Sequence, residues 1–310
     1  MNTVLVTPRS LSAGEHPALV ALEARGYRLL RPAPGEMPDE SCLLDAIPDC
    51  IGWIAGVEPV SARVIGAARR LRVISRNGSG VDNLPLAEIE ARQITVCKAE
   101  NANSRAVAEL ALALSLAALR AVPEADRGIR TGGWPRVMGR EIGSARVCIL
   151  GLGAIGQQAA RLFAALGATT CGFDPFQPAD LLADVPNFER AGTMVGAVSD
   201  CDIVTLHLPM RPGDPALLDA GLLGQFHPGT LLINTARAGL VDEAALLDAL
   251  DSGQVGAYAT DVFHREPPAP SPLLQHEKTI LTSHVGGLTR ESVERVTALT
   301  VGNLLKVLEP

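Results

Sequence analysis

The chain has 310 residues, 47% apolar and 20% charged, with a formal net charge of −7. That length suits two domains with full cores, and an acidic chain without a basic run argues against a nucleic-acid binder. No leader and no membrane span are expected: Met1-Asn2-Thr3-Val4 has no basic n-region, and the apolar run Val107–Leu119 is too short for a bilayer and carries Glu109.

In chain order, short β-branched runs alternate with longer Ala/Leu-rich periodic segments, the pattern of parallel α/β structure. Thr3–Thr7 reads as a strand, Pro17–Arg25 as a helix, Ile51–Val57 as a strand and Ser61–Leu71 as a helix. Arg72–Arg76 is a strand ending in the turn Asn77-Gly78-Ser79-Gly80, followed by a helix over Pro85–Ala91 and a strand over Thr95–Lys98. Asn103–Arg120 reads as a long helix, and 121–144 has no clear period. Strands are then predicted at Arg146–Leu150, Thr169–Phe173, Asp202–Leu208, Gly229–Thr235, Val255–Val262 and Thr279–His284, with helices between them and a last amphipathic helix over Arg290–Leu308.

Cys42, Cys50, Cys97, Cys148, Cys171 and Cys201 form no C-x-x-C pair, and several lie in apolar runs such as Val147-Cys148-Ile149. They are expected to be reduced core thiols of a cytoplasmic protein, and no metal site is expected.

Gly151-Leu152-Gly153-Ala154-Ile155-Gly156 follows a strand and opens an Ala-rich helix. Gly151 permits the tight turn, Gly153 lets the backbone approach a pyrophosphate at the helix N-terminus, and Gly156 lets helix pack on strand. Asp174, at the end of the next strand, is placed to accept ribose hydroxyls and to repel a 2′-phosphate, which favours NAD over NADP. Beyond three later strands stand Arg237, Glu266 and His284. In open parallel sheets ligands gather at such strand ends. Arg offers a planar fork to a carboxylate, His exchanges a proton near neutral pH, and a carboxylate beside the His favours its protonated form. The chemistry is that of hydride transfer at C2 of a 2-hydroxy or 2-keto acid.

With these motifs, and with Asn234–Glu243, Asp261–Pro267 and Ser283-His284-Val285-Gly286-Gly287, the chain resembles the D-isomer-specific 2-hydroxyacid dehydrogenase family over nearly its whole length. The resemblance implies a Rossmann cofactor domain, 101–288, inserted into a flavodoxin-like substrate domain, 1–100 plus 289–310, the two closing over a cleft. It implies Arg237 as substrate-binding, His284 as the acid/base and Glu266 as its partner. It implies cofactor contacts from Gly151, Gly153, Ala154, Ile155, Gly156, Asp174, Pro209, Thr235, Ala236, Gly286 and Gly287, with Asp261 on the nicotinamide carboxamide. It implies that main-chain amides of Gly78, Ser79 and Gly80 cradle the substrate carboxylate, with Asn103 nearby, and that the protein is a homodimer through the segment around Asn103–Ser144.

The runs Gly78–Asn83 and Asn101–Ser104 resemble the phosphoglycerate dehydrogenase branch, yet Ala55-Gly56 stands where that branch carries a phosphate-binding Arg. Arg76 and Arg136 remain as anion partners. Glyoxylate, hydroxypyruvate or a sulfonated acid is therefore expected before 3-phosphoglycerate, and no regulatory domain is expected beyond Pro310. Ala154 replaces a common Arg and Ala238 a common Gly, so the backbone at 238 must accept a Cβ. An NAD-sensing corepressor-like binding protein is the alternative reading, and phosphite oxidation a third.

Overall fold

The structure is a computed structural model in which residues 2–211 and 213–309 are described. The chain divides into two compact units, Met1–Asn103 with Thr289–Pro310, and Ser104–Leu288. Both are parallel α/β sheets covered by helices.

The first unit holds strands β1 (Asn2–Val6), β2 (Tyr27–Leu30), β3 (Cys50–Ala55), β4 (Val73–Arg76) and β5 (Thr95–Lys98) in the order β2-β1-β3-β4-β5. That order is flavodoxin-like. Every residue of central β3 is buried, as a strand covered on both faces requires. The helix Arg290–Leu308 lies on this sheet: Val301, Leu304 and Leu308 share one core cluster with Val4, Val6, Ile54 and Val73. A Cβ on Gly52 would lie 3.0 Å from Leu304, so the helix sits close to β3.

The second unit holds β6 (Arg146–Leu150), β7 (Thr169–Phe173), β8 (Phe188–Arg190), β9 (Ile203–Leu206), β10 (Thr230–Asn234), β11 (Val255–Thr260) and β12 (Thr279–Leu281). Their order is β12-β11-β10-β9-β6-β7-β8, the doubly wound Rossmann arrangement with its switch point between β6 and β9. Alternate side chains of β6 feed two cores. Val147 and Ile149 join Ala159, Ala160 and Phe163 of the helix Ala154–Ala165, whereas Cys148 and Leu150 face Ala197, Val198 and Leu246. Among the described residues no single helix is long and apolar enough to cross a membrane.

Several elements differ from expectation. β2 and β8 are edge strands of four and three residues, too short to show a period, and the sequence does not mark them. The helix Glu40–Ala46, capped by Asp39 on the Cys42 amide, is likewise unmarked because only Leu43 is buried. Segment 121–144 contains the helix Val122–Arg130, which starts after a left-handed Ala121 and buries no residue, so no core-facing stripe reveals it. β11 and β12 stop at Thr260 and Leu281, short of the predicted ends at Val262 and His284, because the polar residues there turn out of the sheet.

Candidate active site

After β6 the chain turns at Gly151, where φ is +92° and a Cβ would lie 2.6 Å from the His207 carbonyl oxygen. Both conditions demand glycine. A Cβ on Gly156 would fall 1.9 Å from the Gly151 oxygen, so the helix packs against the turn as expected. Nothing stands within 4 Å of a Cβ on Gly153, the N-cap of the helix Ala154–Ala165. The N–H groups of this first turn, at Ala154 and Ile155, thus form an open positive helix end suited to a pyrophosphate.

Asp174 is buried just after β7. Its Oδ2 accepts the Leu152 amide at 2.9 Å and its Oδ1 accepts the Phe176 amide at 2.9 Å. The carboxylate therefore ties the glycine loop to the next strand end. It keeps lone pairs for ribose hydroxyls, since a carboxylate accepts at about four sites. Arg190, which no spacing rule picks out, braces the same loop by donating to the carbonyls of Asp174, Gln177 and Pro178.

His207 ends the neighbouring strand. Its Nε2 lies 3.0 Å from Thr205 Oγ1, and burial pushes the imidazole down to about 4, so the ring is neutral at physiological pH. His207 Nδ1 and Thr235 Oγ1 are buried without a protein partner. Such atoms cost about 1–3 kcal/mol each unless a ligand satisfies them. Together with the open helix end they fit a dinucleotide laid across the strand ends. Pro209 follows in the loop after β9.

Beyond β10, Asn234 shapes the turn that carries Arg237. Asn234 Nδ2 donates to the Arg237 carbonyl at 2.9 Å and Oδ1 accepts the Ala236 amide at 3.0 Å, a role the sequence does not reveal. Arg237 Nη1 donates to the Ala236 carbonyl at 2.7 Å. Ala238 opens a short 3-10 turn outside the left-handed region, so its Cβ is tolerated.

His284 Nδ1 lies 2.7 and 2.9 Å from the two oxygens of Glu266, so the structure brings these two predicted residues together. A carboxylate only accepts, so Nδ1 carries the proton and Nε2 is left for a substrate oxygen. The His284 backbone is left-handed, with φ +55°, a conformation that a bulky residue holds only when its surroundings impose it. Buried Asp261 imposes it. Oδ1 accepts the Val285 amide at 2.8 Å and the Thr282 hydroxyl at 2.6 Å, and Oδ2 accepts the Gly286 amide at 2.8 Å. A Cβ on Gly286 would lie 3.0 Å from Asp261 Oδ2. Asp261 and Gly286, expected at the cofactor, thus have a prior task in aiming His284. Gly287 lies in the same turn, closed by the Leu288 amide on the Val285 carbonyl at 2.8 Å.

In the first unit, the Gly78 amide donates to the Arg76 carbonyl at 2.9 Å, so it is engaged within its own loop and does not stand ready for a carboxylate. Ser79 and Gly80 follow in the same loop, and Asn103 Oδ1 is buried without a protein partner. Gly56 has no space for a side chain, because a Cβ would meet Glu58 Oε2 at 2.5 Å and Pro8 at 3.1 Å. Burial raises the Glu58 carboxyl above the ordinary carboxylate range, although the hydroxyl of Thr7 and the Gly56 amide donate to it. This polar knot, unmarked in the sequence, fills the space beside Gly56.

Residues 112–286, more than half of the chain, match the model for the D-isomer specific 2-hydroxyacid dehydrogenase NAD binding domain. D-3-phosphoglycerate dehydrogenase of Mycobacterium leprae is 37% identical over 265 residues, 83% of this chain and 49% of that protein. The chain spans about half the length of the curated relatives it matches. Among solved structures, the TT0316 protein from Thermus thermophilus superposes with a TM-score of 0.86 at 30% identity, covering 99% of this chain and 97% of that one. A D-lactate dehydrogenase from Treponema pallidum superposes with a TM-score of 0.80 at 25% identity, covering 99% and 97%.

Proposed function

The chain belongs to the D-isomer-specific 2-hydroxyacid dehydrogenase family, and from that premise we propose that it is an NAD-dependent oxidoreductase of a small 2-hydroxy or 2-keto acid. The observation that carries the reading is the His284–Glu266 pair, with Nδ1 held by the carboxylate and Nε2 left over. NAD, when bound, accepts or supplies the hydride exchanged at substrate C2. His284 Nε2 takes the hydroxyl proton during oxidation and returns one to the carbonyl oxygen during reduction. Glu266 holds the ring in that tautomer and stabilises the imidazolium. Arg237 binds the substrate carboxylate through its planar fork. Gly151, Gly153, Ala154, Ile155, Gly156, Asp174, Pro209, Thr235 and Ala236 form the dinucleotide seat, and Asp261, Gly286 and Gly287 border it. Ser79, Gly80 and Asn103 are further substrate contacts.

The relatives' names support the enzyme over an NAD-sensing binding protein. Because Glu58 fills the space beside Gly56, the favoured substrate lacks a phosphate, as glyoxylate and hydroxypyruvate do. Trp134, Val137 and Met138, which are 79, 53 and 97% exposed, support a homodimer through the segment around Asn103–Ser144. A cytoplasmic location accords with six free thiols. The test is NADH consumption with a panel of 2-keto acids. Turnover of the unphosphorylated acids is expected to exceed that of phosphohydroxypyruvate, and an inert panel would overturn the reading.

A further inference from the structure

Cys148, Cys171 and Cys201 meet inside the second unit, with all three Sγ atoms within 4.8 Å of one another and each residue at most 1% exposed. The sheet register produces the meeting. Cys148 and Cys171 are paired partners on β6 and β7, so their side chains leave the same face, and Cys201 stands just ahead of β9, the other neighbour of β6. The Ala197 carbonyl, on the short helix Met194–Val198, points at the same spot. Cys171 Sγ and Cys201 Sγ are 3.5 Å apart and lie 3.4 and 3.1 Å from the Ala197 oxygen.

We propose that Cys148, Cys171, Cys201 and the Ala197 carbonyl form a buried site for a thiophilic divalent cation of the zinc class. Tetrahedral coordination at metal–sulfur lengths of about 2.3 Å and metal–oxygen lengths of about 2.1 Å sets ligand–ligand edges of about 3.6–3.8 Å. The three edges among Cys171 Sγ, Cys201 Sγ and the Ala197 oxygen are a few tenths of an ångström shorter, and Cys148 Sγ lies within 4.8 Å of both sulfurs, so rotations of the thiols admit the ion. Three sulfurs select a soft cation over magnesium or calcium. Binding exchanges three S–H protons for one divalent ion, and nothing is oxidised or reduced. The complex then carries one net negative charge, and the Arg146 guanidinium interacts electrostatically with both Cys171 and Cys201. A disulfide between Cys171 and Cys201 would leave Cys148 and the carbonyl without a part. The ion would tie β6, β7 and the approach to β9 together beneath the glycine loop.

The test uses the intact chain, denatured, stripped with chelator and reductant, refolded with Zn2+ or Cd2+, and dialysed against metal-free buffer. One ion per chain is expected by elemental analysis, with a thiolate-to-cadmium charge-transfer band and an affinity that falls as pH falls. Cys148→Ser and Cys201→Ser should each weaken retention at least tenfold, whereas Cys42→Ser, in the first unit, should not. Should the core variants fail to fold, wild-type protein decides: in denaturant strong enough to expose the thiols of the metal-free protein, Cd2+ should slow the alkylation of three of the six relative to that metal-free control. An ion-free dialysed protein, unshielded thiols, or a Cys171–Cys201 disulfide in the reduced and refolded sample would overturn the site. None of these readouts involves substrate, so their failure is separate from any failure of the proposed dehydrogenase activity.

Discussion

After β6 the chain turns at Gly151, where a Cβ would meet the His207 carbonyl, and Gly156 comes so close to the turn that it too has no room for a Cβ. After β12 it turns at His284, a bulky residue held in the left-handed region by one buried carboxylate. The first turn is defined by missing side chains and, apart from the Leu152 amide held by Asp174, leaves the amides at its helix end bare. The second is defined by a polar side chain that occupies the amides of Val285 and Gly286 and so sets the direction of an imidazole. A site that receives a long anionic ligand and a site that must aim a single proton place opposite demands on the backbone, and this sheet meets both at its strand ends.

The largest effect should come from the aimed imidazole itself: His284→Ala is expected to lower kcat by about 10²–10⁴-fold in the NADH assay while dinucleotide binding persists. Unchanged turnover would remove His284 from the chemistry. Next is the histidine that walls the glycine turn. Its folded pKa of about 4 lies below the unfolded value of about 6.5, so as pH falls the unfolded chain takes up the proton first. His207 therefore costs nothing above about pH 6.5, and folded stability falls by up to about 3 kcal/mol between there and about pH 4. Urea unfolding of wild type and His207→Gln across that window should show the variant losing less, and parallel curves would show that the ring is not buried as described.

Two alanine substitutions sharpen the contrast within the glycine loop. Gly156→Ala is expected to cost about 2 kcal/mol of folding stability through overpacking, visible as a lower Tm. Gly153→Ala, with open space around it, should change stability by less than about 0.5 kcal/mol yet weaken NADH about tenfold by fluorescence titration. Equal Tm losses would mean that the loop is not divided in this way. An effect of the same tenfold order is expected for Asp261→Asn, which loses the charge and turns one acceptor into a donor facing a hydrogen-bond donor. A drop of about tenfold in kcat, roughly 1.4 kcal/mol, with little change in KM for NADH would separate aiming His284 from binding the cofactor.

Much of this is readable from the chain alone. The glycine spacing, the strand before it and Asp174 after β7 are local in sequence, and so are the motifs around Arg237, Glu266 and His284. What escapes depends on register or on distant partners. Asp261 is expected only as a cofactor contact, and its second task, holding the amides of Val285 and Gly286, shows only in the structure. Arg190 and Asn234 carry no periodic mark, and each acts by holding carbonyls or amides of a loop. Cys148, Cys171 and Cys201 are far apart in sequence, and only the pairing of β6 with β7 and β9 brings them onto one face. Short edge strands escape because they are too brief to show a period, and the helix Val122–Arg130 escapes because its Pro123 and Gly128 read as breakers and it buries no residue.

The helix Arg290–Leu308, which supplies core residues to the sheet built from the first hundred residues, also imposes an order of events during synthesis. A ribosome delivers 104–288 as one uninterrupted stretch, so the second unit can reach its native packing while the first still exposes the apolar face around Val4, Ile54 and Val73. Only when the helix Arg290–Leu308 has left the exit tunnel does that face acquire its cover. The sheet of the first unit is thereby completed only after the whole of the second unit has been made, and its open apolar face can make non-native contacts in the interval.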